Sequence, residues 1–379
     1  MKIITDADVK GKKVLVRVDY NVPRKDGKII DDTRIVASLK TINYLIKKKA
    51  KVILFSHLGR VKSEEDKEAN SLKCVADHLS SLVKCPVYFI PETRGKVLET
   101  SVDNLLDGEI LLMENTRYED YPKTLESSCD EKLSKYWASL ADIYVLDAFG
   151  SAHRCHASTY GVSKYIPSYA GFLVNDEVKM LDKALKEKRT LVLGGSKVED
   201  KIGVINNLID SSDKILIGGA MCFTFLKAKG INVGKSIVSE DSIDYCKELL
   251  SKYGDKIVLP IDVNTERGIV KIEDMKSNDI GFDIGTKSIN LFKRELKDSH
   301  LVLWNGPLGM YENKKYEAGT RDILRYLEHQ KFPTILAGGD VTASATYFNV
   351  KMYYISTGGG STLEYLEGKS FRTLERLKG

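Results

Sequence analysis

Four arginines and a histidine stand just beyond short apolar runs in the first half of the chain. Arg34 follows Asp31-Asp32-Thr33, and His57-Leu58-Gly59-Arg60 follows KVILFS. Arg117 lies in Thr116-Arg117-Tyr118, and Arg154 ends Ala148-Phe149-Gly150-Ser151-Ala152-His153-Arg154. A guanidinium group binds phosphate or carboxylate through paired N–H donors, so their convergence predicts a small, multiply anionic ligand. Asp19-Tyr20-Asn21-Val22-Pro23, after KVLVRVD, adds further hydrogen-bonding groups. Any one of these arginines reads equally well as a helix cap or the partner of a surface acid; four at strand ends favour a ligand.

The second half replaces arginine with glycine. Its apolar runs end in Gly194-Gly195-Ser196-Lys197, Gly218-Gly219-Ala220-Met221, Asn305-Gly306-Pro307, Gly338-Gly339-Asp340 and Gly358-Gly359-Gly360-Ser361. Glycine lets backbone N–H groups approach a ligand, and a following helix N-terminus favours negative charge. Five such turns suggest a polyphosphate, hence a nucleotide. Lys197 and Lys201, four apart, are expected on one face at the start of a helix, near those phosphates.

The familiar nucleotide motifs are absent. There is no G-x-x-x-x-G-K-[ST], no G-x-G-x-x-G after a strand, and no H-R-D with D-F-G. Cys155 between His153 and His156 has no second ligand pair at matching spacing, and Arg154 beside it opposes a cation.

These residues must be held by the elements that precede them. Strands are predicted at 13–19, 51–56, 109–115 and 143–147, then at 190–194, 214–218, 301–304, 334–337 and 353–356. Each run is apolar on both faces, as a parallel strand covered by helices should be. Strand–helix alternation along 379 residues predicts an α/β protein of two doubly wound, Rossmann-like parallel-sheet domains. A helix over 175–188, with Val178, Leu181 and Leu185 on its apolar side, is expected to join them. In open α/β sheets ligands bind beyond the carboxyl ends of the strands, where both sets of residues stand.

Composition is that of a soluble globular chain, with 42% hydrophobic and 29% charged residues. No run approaches the ~20 apolar residues of a bilayer span, and the start lacks a secretory pattern. Six scattered cysteines without a C-x-x-C pair read as free thiols in a reducing compartment, hence cytoplasmic. The net charge of +5 comes from surface lysines such as Lys47-Lys48-Lys49. No motif of nucleic-acid recognition accompanies it.

The motifs taken together resemble the phosphoglycerate kinase family. Arg17-Val18-Asp19-Tyr20-Asn21-Val22-Pro23 is similar to the family pattern RVDFNVP. The likeness continues in order through Ser56–Arg60, Glu114–Arg117, Asp147–Gly150, Ala152–Arg154, Gly194–Val198, Trp304–Pro307, Gly338–Asp340 and Ser356–Gly360. The resemblance implies that 1–172 binds 3-phosphoglycerate or 1,3-bisphosphoglycerate, that 173–188 links the domains, and that 189–366 binds ADP or ATP. The tail, 367–379, would pack back on the first domain. It also implies that Asp19, Tyr20, Asn21, Arg34, His57, Leu58, Gly59, Arg60, Arg117 and Arg154 hold the acid. Gly195, Lys197, Lys201, Gly219, Asn305, Glu312, Gly338, Gly339, Asp340 and Val341 would hold the nucleotide, with Glu312 on the ribose hydroxyls.

Asp340 would help hold Mg2+; taken alone, it also reads as a helix N-cap. Arg34, Lys197 and backbone donors at Gly338 and Gly359 would stabilise charge on the transferring group. No general base is required, because the accepting carboxylate is already ionised. Closure of the domains would exclude water, and a monomer is expected.

Some positions depart from the family pattern: Val61 stands for proline, Thr286 for the proline of D-I-G-P, Val341 for threonine, and the tail lacks L-P-G. Strand-end chemistry alone reaches a two-domain phosphoryl-transfer enzyme. It leaves open a kinase for another phosphorylated acid, and a silent scaffold on the same fold.

Overall fold

The computed structural model describes residues 1–378. It divides into two compact units, one of Met1–Val178 with the segment from Ser370 onward, the other of Lys179–Lys369. The division falls inside one helix, Phe172–Lys186, which begins three residues before the predicted start. Among the described residues no helix is long and apolar enough to cross a membrane.

In the first unit the strands are β1 (Lys13–Val18), a short hairpin β2 (Arg24–Lys25) and β3 (Lys28–Ile29), β4 (Lys51–Phe55), β5 (Val87–Ile90), β6 (Ile110–Met113), β7 (Ile143–Asp147) and β8 (Ser168–Ala170). Six form a parallel sheet in the order β5-β6-β4-β1-β7-β8. Val16 pairs with Leu54 on one side and with Val145 on the other. Central strands of this kind are covered on both faces, which is why β1, β4, β6 and β7 are nearly continuous apolar runs. The chain winds outward to β5 on one side of β1 and then to β8 on the other. The loops after β1 and β7 therefore diverge and leave a crevice.

The last turn of the chain belongs to this unit. Lys2 N–H donates to Leu377 O at 2.6 Å, and Arg376 Nη2 donates to Ser163 O at 2.9 Å. The Thr373 hydroxyl donates to Ala152 O, and Leu377 is fully buried.

The second unit contains β9 (Arg189–Leu193), β10 (Ser212–Ile217), β11 (Ile257–Val258), β12 (Asp262–Thr265), β13 (Gly268–Lys271), β14 (Gly281–Ile284), β15 (Val302–Asn305), β16 (Thr334–Leu336) and β17 (Tyr354–Ile355). Its parallel sheet has the order β11-β10-β9-β15-β16-β17, so the winding reverses between β9 and β15. The nine predicted strands are all present. The antiparallel sheet β13-β12-β14 was not predicted, because its strands DVNT, GIVK and GFDI are half polar. One core of this unit packs Val192, Trp304, Leu308, Phe292, Ile323 and Val341.

Candidate active site

In the first unit the crevice is organised by Asp19. Arg34, in the first turn of helix Thr33–Lys47, donates to both Asp19 oxygens at 3.0 Å and to Asn21 O at 3.3 Å. Burial pushes the Asp19 carboxyl up, but Arg34, then His57 and Arg17, outweigh it and hold it below the usual range. Asn21 Oδ1 accepts from Gly59 N–H at 2.9 Å, which leaves its amide N–H groups for another acceptor.

His57 lies against Arg17, with Nδ1 3.1 Å from Nη2. An arginine can only donate, so Nδ1 accepts and the ring proton sits on Nε2. Burial, then the cations Arg17, Arg117 and Arg34, lower its pKa to about 3 against the pull of Asp19. His57 is therefore a neutral donor. Arg117 donates to Asp120 at 2.7 Å, while its Nε is buried without an acceptor. Arg60 and Arg154 are exposed, and neither makes an ion pair among the described residues.

Two predicted ligand positions point elsewhere. The Tyr20 ring is fully buried with its hydroxyl 3.0 Å from Ser38 Oγ, and Leu58 is a core residue. Their backbone N–H groups are already engaged, by Ser56 Oγ at 2.8 Å and Asn115 Oδ1 at 3.1 Å. Both side chains belong to the hydrophobic core of this unit. Four residues outside the expected ligand set lie beside it: Arg17, Ser158, Glu126 and His156, the last weighed from sequence only as a metal ligand. Arg17 Nε donates to Ser158 Oγ at 2.8 Å, and Ser158 N–H donates to the buried Glu126 carboxylate at 2.9 Å. His156, at 4.0 Å from Glu126, is lowered to about 3 by burial and by Arg117, Arg17 and Arg154.

In the second unit the crevice lies where the winding reverses. Gly194 N–H donates to Asn305 O at 2.9 Å, and Gly195 N–H to Pro307 O at 2.8 Å. A Cβ on Gly194 would stand 2.1 Å from Pro307 O, and one on Gly219, at φ 61°, 2.6 Å from Gly195 N. Only glycine permits this approach of three backbones.

Two clefts open here and share Gly195, Ser196 and Asp340. One, of about 460 Å³, is lined by Lys201, Asn305, Gly338, Gly339 and Gly360. The other, of about 320 Å³, has apolar walls from Ile237, Phe282 and Met310, with Gly219 and Glu312 also on its lining. Gly338 (φ 105°) and Gly359 (φ 56°) are the N-caps of helices Gly339–Tyr347 and Gly360–Leu366, with no side-chain cap. A Cβ at Gly339, Gly359 or Gly360 would meet nothing within 4 Å. These helix starts therefore present unspent N–H donors to an open cleft.

Lys201 is only 9% exposed, and among the described residues its ammonium has no hydrogen-bond or ion-pair partner. Burial lowers its pKa, with Asp200, Asp340 and Glu367 opposing. Asn305 Nδ2 donates to Ala337 O, and its buried Oδ1 has no partner. Lys197 differs from expectation. The helical turn starts only at Glu199, so Lys197 sits exposed in the preceding loop, and it does not share a helix face with Lys201. The Val341 side chain is in the core, which leaves its backbone N–H as the group a ligand can meet. Asp340 is exposed in the first turn of its helix rather than at the N-cap. Among the described residues no three His, Cys, Asp or Glu groups gather into a metal cage. A cation here would need oxygens from a ligand beside Asp340, as Mg2+ on phosphates does.

The sequence model described as phosphoglycerate kinase matches residues 4–369. A phosphoglycerate kinase of Enterococcus faecalis is 50% identical, over 99% of this chain and 98% of its own, and one of Fusobacterium nucleatum is 49% identical over 99% of both. The solved phosphoglycerate kinase from Coxiella burnetii superposes with a TM-score of 0.88 at 34% identity, over 99% of this chain and 98% of that one. The structure from Pyrococcus horikoshii gives 0.88 at 29% identity, over 100% and 98%.

Proposed function

The chain belongs to the phosphoglycerate kinase family, and from that premise we propose how its residues perform the family's reaction. It is a kinase that moves a phosphoryl group reversibly between ATP and 3-phosphoglycerate, with ADP and 1,3-bisphosphoglycerate on the other side, in glycolysis. A carboxylate oxygen of 3-phosphoglycerate attacks the γ-phosphorus, the bond to the β-phosphate oxygen breaks, and an acyl phosphate forms.

The unpartnered ammonium of Lys201 carries the nucleotide assignment. A mostly buried cation at the floor of a glycine-lined cleft is destabilised until an anion arrives. Phosphates lie in the larger cleft against Lys201, with the helix starts at Gly338 and Gly359 donating N–H groups. The base lies between Phe282 and Met310, and Glu312 accepts from ribose hydroxyls. Asp340 would hold Mg2+ beside the nucleotide phosphates, and the ion would supply charge neutralisation there. The Lys197 side chain, exposed and long, reaches toward the transferring group.

In the first unit Asp19, Asn21, His57, Arg60, Arg117 and Arg154 hold the phosphoglycerate, and Arg34 offers its remaining N–H groups to the transferring phosphoryl. The Nε2–H of His57 suits a hydroxyl acceptor. The two substrates belong to different units, and transfer needs the reacting groups in line with water excluded. The protein acts as a monomer in the cytoplasm.

The deciding experiment incubates purified protein with Mg-ATP and 3-phosphoglycerate and detects acyl phosphate by coupled reduction. Folded protein that forms none refutes the reading. Other phosphorylated acids turned over faster would replace the substrate.

A further inference from the structure

Asp283 belongs to the D-I-G stretch of β14, takes no part in the reaction above, and is only 3% exposed. Its neighbour Phe282 forms a wall of the smaller cleft and stacks on Tyr316, with ring centroids 4.5 Å apart. Side chains alternate along a strand, so Asp283 points away from the cleft. There it meets three segments. One oxygen accepts from Ile284 N–H on its own strand at 2.9 Å. The other accepts from Gly319 N–H, in the first turn of helix Ala318–Glu328, at 2.8 Å.

Gly309 and Gly319 are glycines for this carboxyl. A Cβ on Gly309 would stand 2.1 Å from Asp283 Oδ1, and one on Gly319 2.2 Å from it. Gly309 precedes Met310, the facing wall of the cleft, and Met310 N–H donates to Phe282 O at 2.9 Å. The two walls thus come from a strand and a loop that share a backbone hydrogen bond, and the Asp283 carboxyl lies against Gly309 of that loop while it ties the strand to helix Ala318–Glu328. Burial of its two polar oxygens is costly, and an apolar residue would fill the space at lower cost if packing were the whole requirement.

We propose that Asp283 is a positioning residue for the nucleotide base, a strut that sets the spacing between the Phe282 and Met310 walls. It touches neither substrate. The inference rests on the placement of the base proposed above.

The test pairs steady-state kinetics with calorimetric titration of Mg-ADP into the full chain, for wild type, Asp283→Asn and Gly319→Ala. In Asp283→Asn the volume is kept, but an amide N–H must face one of two backbone N–H donors. Gly319→Ala drives a methyl group into the carboxyl from the helix side without altering the cleft lining. Each variant is expected to weaken Mg-ADP binding and raise KM for Mg-ATP by roughly tenfold, the loss of one buried hydrogen bond. KM for 3-phosphoglycerate stays within about twofold and kcat within about threefold. Nucleotide affinity unchanged in folded variants overturns the proposal, as does an equal rise in KM for both substrates. A variant that melts before assay is replaced by the other, which reads the same contact. Wild-type protein that binds Mg-ADP without turnover refutes the kinase reading while the calorimetry still tests Asp283; wild type that binds none overturns both.

Discussion

Arg34 Nη1 lies 3.0 Å from both carboxylate oxygens of Asp19. One nitrogen of the guanidinium thus takes the whole pair, and Nη2 and Nε are left for a ligand. The Arg34 side chain is 34% exposed and that of Asp19 only 10%, so the acid is the anchor and the arginine the part that reaches outward. Asp19 fixes the direction in which Arg34 donates.

Arg34→Ala is expected to lower kcat by roughly tenfold to a thousandfold, as the loss of a donor to developing charge does. Arg34→Lys should not restore it, because an ammonium lacks the planar fork needed to pair with Asp19 and still donate. Asp19→Asn should raise KM for phosphoglycerate. Steady-state kinetics decide, and an effect of Arg34→Ala on KM alone removes it from charge stabilisation.

His57 is expected to stay neutral across the working pH range. Its pKa of about 3, set by burial and then by neighbouring cations, places its titration well below the ordinary value. Nitrogen-15 spectra of the imidazole should show the Nε2–H tautomer and no titration between pH 5 and 8. A midpoint near 6.5 would contradict the contact with Arg17.

Removing the Asp340 carboxylate tests the metal assignment. In Asp340→Asn the Mg2+ concentration giving half-maximal rate should rise by roughly tenfold, the loss of one charge-assisted contact. Saturating Mg2+ should recover much of the rate. A rate loss that no Mg2+ concentration relieves would place Asp340 outside the metal site.

Two buried acids predict how stability changes with pH. Burial raises Asp147 to about 7 and Asp283 to about 8. Between about pH 4 and those values the folded chain keeps protons that the unfolded chain has released. Stability from these groups is therefore full below about pH 4 and is lost as pH rises through 7 and 8. Asp147→Asn, whose parent has one oxygen without a partner, should flatten the decline. Melting temperatures of variant and wild type at pH 5 and pH 8 check this; parallel changes in both would refute it.

The parallel strands were legible because each is buried on both faces, and the glycine turns because backbones meet there. The edge strand β5 escaped as four residues between Pro86 and Pro91, and β8 and β11 are shorter still. With the antiparallel sheet went Phe282, and with it the apolar cleft that Phe282 and Met310 line. Arg17 carries a signal of its own: a cation inside the buried run KVLVRV must have partners. Glu126 had none, since it lies in a loop without periodicity and meets Ser158 only through folding. Lys197 was misplaced because four-residue spacing implies a shared face only within an α-helix, and Lys197 precedes the first turn.

The bond between Lys2 and Leu377 has a bearing on the order of synthesis. The second unit is one continuous stretch, whereas the first is made of a long opening segment and a short closing one. On the ribosome the whole of the second unit emerges before the residues that complete the first. The half that holds the arginines is begun first and finished last.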